Sequence, residues 1–318
     1  MSSDGPSAFE GLGLVVVNYA STPLLAQNLG NVHRGLPGAR VVVVDCWSSQ
    51  REREGVTELA RTRGWQLVGL PDNRGFGGGV NAGVEVALLA GVRDVLLLNP
   101  DASLTATDVT LLREAVAGRR LTLAAPVVVD GRGAVWSSGV DLDLADGSMS
   151  GVAVHAPLVP GRRRWLSGAC LMLTQEVWSA TGGFDERYFL YWEDVDFSQR
   201  LVEAGGDLVV VPDARAVHEE GGTQGAGGRA KSPQYYYHNI VNRMRYAVTH
   251  LDAAGVRRWE RTAPKAAYDI VLRGGRRQLL TSVSPYDAVW RGLRDGRRLV
   301  RAARADGSAP ATASGAGP

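Results

Sequence analysis

Along the first 130 residues, short runs of β-branched and aliphatic residues alternate with longer segments whose apolar positions recur every three or four residues. The short runs predict strands at Leu14–Val17, Val41–Val44, Gln66–Leu70, Val95–Leu98 and Thr122–Val129. Between them, Pro23–Leu36, Arg51–Arg63, Val80–Ala90 and Thr107–Ala117 predict helices, each long enough to cross over between parallel strands. This alternation belongs to an α/β fold with a mostly parallel sheet. After Pro126, Gly, Ser and Asp break the chain into short segments as far as Gly161, which predicts hairpins and the end of the parallel run. A strand at Trp165–Leu173, a helix at Gln175–Ala180, a loop at Gly182–Tyr191, a helix from Glu193 to Ala204 and a strand at Leu208–Val211 follow. From Pro233 three helical stretches are expected, broken near Gly255 and at Ser282–Pro285, and residues 307–318 read as a flexible tail.

A chain of 318 residues with 45% hydrophobic and 21% charged residues can bury a core unaided, which excludes bulk disorder. No run approaches the roughly 18 apolar residues of a membrane span. The opening MSSDGPSAFEG lacks the basic region and apolar core of a signal peptide, so the cytoplasm is the expected compartment. Cys46 and Cys170 cannot by themselves build a disulfide framework or a zinc cluster, and reduced thiols are expected. The net charge of +2 conceals an asymmetry. Residues 229–318 hold 17 Lys and Arg against 6 Asp and Glu, a balance of +11, while residues 1–228 hold 18 against 27, a balance of −9. Such a basic region suits a polyanionic partner, nucleic acid or an anionic membrane face, or is simply a solvated Arg-rich helical surface.

In an open parallel sheet, ligands bind beyond the carboxyl ends of the strands, so the polar residues that directly follow each strand are the candidates. They are Asn18, Asp45, Asp72 with Asn73, and Asn99-Pro100-Asp101. Gly77, Gly79 and Ala82 satisfy G-x-G-x-x-A, but a dinucleotide fingerprint belongs after the first strand and this one follows the third. The stretch reads instead as a Gly-rich turn into a helix, with Asn81 as a ligand contact. Asp101, stiffened by Pro100 after a buried strand, suits a divalent cation held against a diphosphate, or else caps the helix near Thr107. Between Gly182 and Arg200, five acids within twelve residues are interleaved with aromatics. Glu193 and Asp194 fall at a helix start, where the macrodipole favours the ionised form of a general base, and Asp196 has Arg200 four residues on as a salt-bridge partner. His218, beyond the VVVP strand and beside a Gly-rich loop, is either structural or a metal ligand completing a site with Asp101.

From Leu14 to Met244 the ordered segments VVVNY, VVVVD, NRGFGGGVNAG, LLLNPDA, WLSGACLML, GGFDERYFLYWEDVDFSQR and VPDARAVH resemble glycosyltransferase family 2, inverting enzymes of the GT-A fold, in its rhamnosyltransferase-like branch of bacterial cell-wall and polysaccharide assembly. The resemblance implies a GT-A catalytic domain at 1–228, with a nucleotide-sugar half at about 12–130 and an acceptor half at about 131–228, followed by a basic helical region at 229–306. It implies that Asp45 reads the pyrimidine base, that Asn99-Pro100-Asp101 stands for the family's Asp-x-Asp with Asp101 on the metal, that His218 helps to hold Mn²⁺ or Mg²⁺, and that Asp194 of the Glu193-Asp194 pair is the catalytic base. Two departures stand out: Asp45-Cys46-Trp47-Ser48-Ser49 where Asp-Asn-x-Ser is common, and Asn99 in place of the first acid of Asp-x-Asp. The implied donor is dTDP-L-rhamnose, with a UDP-sugar as the alternative. The implied acceptor is a glycan or polyprenyl-linked glycan, met peripherally at the inner membrane face, and a homodimer is compatible with it. Two other readings compete. A sugar nucleotidyltransferase requires a basic Gly-rich loop after the first strand, which VVVNYASTP lacks. A catalytically silent nucleic-acid-binding module would use the basic region and Tyr235–Tyr237, with binding that falls steeply with salt.

Overall fold

A computed structural model describes residues 7–218, 231–276 and 278–306. The expected tail at 307–318 lies outside the described residues. Strands β1 (Leu12–Asn18), β2 (Arg40–Cys46), β3 (Gln66–Leu70) and β4 (Asp94–Leu98) form a parallel run in the order β3-β2-β1-β4. The apolar runs of β1, β2 and β4 are buried on both faces, because helices cover each side, whereas the edge strand β3 is buried only at Leu70. Those helices are α1 (Thr22–Leu24), a π-helical turn at Leu25–Leu29 and α2 (Gly30–Arg34), then α3 (Gln50–Arg63), α4 (Gly75–Leu89) and, after the two-residue strand β5 (Ala102–Ser103), α5 (Ala106–Val116).

The sheet does not stop at β6 (Thr122–Val129), as the change of pattern after Pro126 suggested. Of the hairpin segments, β7 (Val135–Ser137) pairs with β6, whereas β8 (Val140–Asp143) and β9 (Met149–Gly151) join β10 (Arg162–Trp165) in a separate three-stranded sheet. The single strand expected at Trp165–Leu173 is therefore two. β10 lies in the small sheet, and β11 (Cys170–Thr174) inserts antiparallel between β4 and β6. After α6 (Gln175–Thr181) and α7 (Glu193–Glu203), β12 (Asp207–His218) returns parallel to β6 and runs seven residues beyond the expected Val211. Its register slips between Val211 and Arg215, beside Pro126, which has no N–H to contribute to the ladder.

Residues 233–305 form α8 (Pro233–His250), α9 (Ala253–Leu272), α10 (Gln278–Thr281) and α11 (Ser284–Ala305). The first break falls at Leu251–Asp252 rather than near Gly255, because the Asp252 side chain accepts from the Gly255 N–H at 2.7 Å and caps α9 with Gly255 already inside its first turn. These helices share a core with the catalytic half of the chain: Tyr188, Trp192 and Val195 cluster with Leu142 of β8, Met244, Tyr246 and Ala247 of α8, Trp259 of α9 and Val300 of α11.

The Gly-rich stretch is helical from Gly75 and serves close packing. A Cβ at Gly79 would lie 2.8 Å from Val17 and 2.9 Å from the Cys46 sulfur, and one at Gly83 would lie 2.6 Å from Val15. Side chains at these positions would push α4 off β1 and β2. Gly75 itself has φ +74°, and a Cβ there would collide with the Phe189 carbonyl.

Candidate active site

Three pairs of polar residues gather at the carboxyl edge of the sheet. At the ends of β1 and β2, the aligned Asn18 and Asp45 are both fully buried, and the Asn18 amide donates to Asp45 Oδ1 at 3.1 Å. The second oxygen of Asp45 receives Arg53 Nε from α3. The same guanidinium donates to the Leu70 carbonyl and lies 5.3 Å from the ring of the partly exposed Trp47. Asp45 thus lies behind Arg53 instead of facing solvent, and Arg53 was not singled out from the sequence. Asp72, past β3, is exposed beside Arg74. Asn81 turns the other way: its amide accepts from Phe184 N at 2.8 Å and donates to Phe184 O at 2.9 Å, which pins the loop before α7 to α4.

The second pair is made by the shortest strand of the sheet. β5 pairs antiparallel with the end of β12, setting His218 opposite Ala102 and bringing His218 Nε2 within 3.1 Å of Asp101 Oδ1. Both side chains are buried, and neither Asp101 Oδ1 nor His218 Nδ1 has a hydrogen-bond partner. Asp101 does not cap α5. Thr105 and Asp108 form a capping box there by themselves. Asn99 enters through its backbone, with its N–H donating to the Ala169 carbonyl at 2.9 Å.

The third pair opens α7. Asp194 accepts from Gly168 N at 3.0 Å and from Val195 N at 2.9 Å, while Glu193, buried, leaves Oε2 without a donor. Burial pushes the Asp194 carboxyl up to about 6, against the two backbone N–H groups that favour its charged form. Burial and then the neighbouring Asp194 charge push Glu193 well above the usual range. Of the two, Asp194 is thus the acid whose surroundings favour the charged form, and Glu193 the one whose surroundings oppose it. Asp196 has a different job: fully buried, it bridges Arg200 and His250, each at 2.7 Å, and ties α7 to the end of α8. The segment 166–169 between β10 and β11 joins the second and third pairs, through Ala169 to Asn99 and through Gly168 to Asp194.

What aims α7 is a strained turn. Tyr191 and Trp192, neither of them glycine, both have positive φ, 65° and 75°. Each such residue costs about 1–2 kcal/mol, so the turn persists only where its surroundings hold it. The buried Asn242 of α8 does so, its amide donating to Leu190 O at 3.0 Å and Tyr191 O at 2.9 Å. Nothing in the spacing of the sequence marks this residue. Asn242→Ala leaves both carbonyls without that donor and is expected to cost about 1–3 kcal/mol in urea unfolding. Turnover is expected to fall well below the temperature at which the variant melts, because the acids of α7 lose their aim.

The two cysteines are free and buried, and burial raises the Cys46 thiol to about 11, so neither offers a thiolate nucleophile. No helix among the described residues is long and apolar enough to cross a membrane.

Comparison with known proteins agrees with this architecture. Over 243 residues the chain is 32% identical to N-acetylglucosaminyl-diphospho-decaprenol L-rhamnosyltransferase of Mycobacterium tuberculosis, covering 67% of this chain and 78% of that one. It is 25% identical over 197 residues to the low-salt glycan biosynthesis hexosyltransferase Agl10 of Haloferax volcanii, 59% of this chain and 61% of that one. Among solved structures, the mannosyltransferase PcManGT of Pyrobaculum calidifontis, in complex with GDP-Man and Mn²⁺, superposes with a TM-score of 0.52 at 17% identity, over 96% of this chain and 88% of that one. GalNAc-T7 with UDP, GalNAc and Mn²⁺ gives 0.54 at 15% identity over 80% of this chain, which spans 55% of that longer protein. The fold is GT-A. Residues 95–300, from the strand that leads to Asp101 through both α7 acids to the last helix, match Glycosyl transferase family group 2, and the chain belongs to that family of glycosyltransferases, on its rhamnosyltransferase-like side.

Proposed function

We propose that the protein moves a sugar, with inversion, from a nucleoside-diphosphate donor to a hydroxyl of a glycan or polyprenyl-linked glycan, with dTDP-L-rhamnose as the donor and a UDP-sugar as the alternative. The observation that carries this reading is the pairing of two unlike acid sites across one short segment: Asp101 with His218, and Asp194 on the backbone N–H of Gly168. The mycobacterial relative, an L-rhamnosyltransferase of an N-acetylglucosaminyl-diphospho-decaprenol, supports both a rhamnosyl donor and a polyprenyl-linked acceptor.

Asp101 and His218 fit a divalent cation. A buried carboxylate oxygen with an imidazole beside it but no hydrogen bond, and a buried imidazole nitrogen with no hydrogen-bond partner, are costly unless something fills the site, and one oxygen with one nitrogen suits Mn²⁺. Asp101 and His218 would hold the cation from the protein side, and a divalent cation there would supply positive charge to offset the charge developing on a leaving nucleoside diphosphate. Both solved relatives named above hold Mn²⁺.

The nucleoside end of the donor is assigned to the ends of β1–β3 and β4, to Asn18, Asp45, Asp72 and Asn99, with Arg53 and Trp47 presenting the surface that Asp45 organises. Asp194 takes the proton of the acceptor hydroxyl as that oxygen bonds the anomeric carbon, and Glu193, held neutral, keeps a second charge from forming beside it. A thermal-shift screen of dTDP- and UDP-sugars, with and without Mn²⁺, tests the assignment. The dTDP-rhamnose series is expected to raise Tm most, and only with metal, since a ligand bound by the native state alone stabilises it. No shift with any sugar nucleotide overturns the reading.

A further inference from the structure

The sequence places apolar spacing for a membrane-facing surface at Ile270, Val271, Leu279 and Leu280, but the structure gives the first three another use. Ile270 and Val271 are buried in a cluster with Tyr236, Ile240 and Ala288, and Leu279 packs on it. The Leu280 side chain lies outside the described residues. The outward face is on α11. Pro285, Ala288, Gly292, Gly296 and Val300 turn inward, and two of them are glycines because α8 comes so close: a Cβ at Gly292 or Gly296 would lie 3.0 Å from Ile240 or Met244. At 100° per residue, the opposite side of the helix carries Val283, Tyr286, Trp290, Arg294, Arg297 and Arg301 in one line. Its first half is apolar and open to solvent, with Val283 83% exposed, Tyr286 55% and Trp290 60%. Its second half is basic. Arg297 and Arg301 are exposed and have no carboxylate partner among the described residues, whereas Arg294 is paired with Asp295 at 2.8 Å and lies 4.8 Å from the Trp290 ring.

We infer that this stripe of α11 docks on an anionic lipid bilayer, with Val283, Tyr286 and Trp290 set into the interface and Arg297 and Arg301 against the headgroup phosphates. Uncompensated arginines call for an anionic partner. An exposed valine continuous with two aromatics calls for one with an apolar layer beneath its charge, which a nucleic acid does not offer. The stripe is straight and about 27 Å long at 1.5 Å per residue, the shape of a helix lying flat on a plane. Its position also fits. Contacts of Gly292 with Ile240 and of Gly296 with Met244 show α11 running alongside α8 in the same direction, so the apolar half of the stripe sits at the start of α8. That end touches the turn before the α7 acids, through Tyr235 against Tyr191 and His238 against Phe189, each with ring centroids 5.2 Å apart. Docking there would present the active site to a hydroxyl held at the membrane surface.

This inference does not depend on the donor, the metal or turnover. Flotation of the purified full-length chain with vesicles of phosphatidylcholine alone, or of phosphatidylcholine with 30% phosphatidylglycerol, tests it. The chain is expected to float with the anionic vesicles, to stay behind with the neutral ones, and to lose binding progressively between 0.1 and 0.5 M NaCl. Arg297→Gln with Arg301→Gln is expected to weaken binding by about fivefold per arginine, and Tyr286→Ala with Trp290→Ala to weaken it at every salt concentration. Asp194→Asn is expected to float like the unaltered chain, so loss of activity and loss of binding stay separable. Equal flotation with both vesicle types, indifference to both double variants, or displacement by duplex DNA from a tighter complex overturns the proposal.

Discussion

Replacing Asp194 by Asn is expected to leave the fold and the donor affinity intact and to lower turnover by about 10² to 10⁴, the usual contribution of a general base. A sugar hydroxyl is a weak nucleophile at neutral pH, and the proton must leave as the new bond forms. Successive residues of a helix point about 100° apart, so of the adjacent acids at the start of α7 one faces the acceptor while the other turns aside. The surroundings differ: two backbone N–H groups favour the carboxylate form of Asp194, whereas Glu193 has a buried oxygen with no donor and burial pushes its carboxyl well above the usual range. The sign of the pH dependence follows. A base works deprotonated, so kcat is expected to rise about tenfold per pH unit below about 6 and to level off above it, as Asp194 loses its proton. Glu193→Gln, which removes no charge at neutral pH, is expected to cost less than Asp194→Asn. If both acids merely stabilised the helix start, either substitution would cost stability and little rate. Near-normal turnover of Asp194→Asn with the true donor and acceptor would sink the assignment.

The second large effect is expected at Asp101. Asp101→Ala removes a buried carboxylate whose contact within the described residues is with His218, so thermal unfolding of the variant is to be measured alongside donor binding. Titration calorimetry of the donor is expected to show both a weaker affinity and the disappearance of any difference between buffers with and without Mn²⁺. Turnover is expected to fall by about 10² to 10⁴, since charge neutralisation by a metal supplies several kcal/mol and each 1.36 kcal/mol is tenfold. His218→Ala is expected to shift metal dependence in the same direction by a smaller factor. Donor affinity that is unchanged in Asp101→Ala, with its metal dependence intact, would remove Asp101 from the metal site.

Much of this arrangement was legible in the residues themselves. Strands β1 to β4 announce themselves because a parallel strand buried on both faces is an uninterrupted apolar run, and the polar residue that ends each run reports where the sheet meets its ligands. Asp101 stands out for that reason, whereas Asp194 shows in the cluster of acids at a helix start and the ion pair of Asp196 with Arg200 in its spacing of four. The start of α4 is not visible in the same way. Four glycines argue against a helix by propensity, and close packing on β1 and β2 overrides it. The split of Trp165–Leu173 is hidden because the apolar Trp165 that ends the arginine-rich β10 reads on into the apolar β11, and only the four residues between them turn. Arg53 and Asn242 escape because each acts through side-chain contacts to residues far along the chain, Leu70 for one and Leu190 with Tyr191 for the other, and such contacts leave no period to read.

The strained turn before α7 has a bearing on how the protein comes into being. Trp192 packs in one cluster with Val300, and the amide that restrains the turn comes from Asn242. A nascent chain that has already produced every acid of the active site still lacks the means to aim them. At about 5–20 residues per second, the roughly 110 residues from Trp192 to Val300 take about 5–20 s to appear. For that interval the half-made protein holds its parallel sheet without the contacts that fix the turn before α7. A chain shortened ahead of α8 is therefore expected to keep the sheet and to be inert, its α7 acids unaimed.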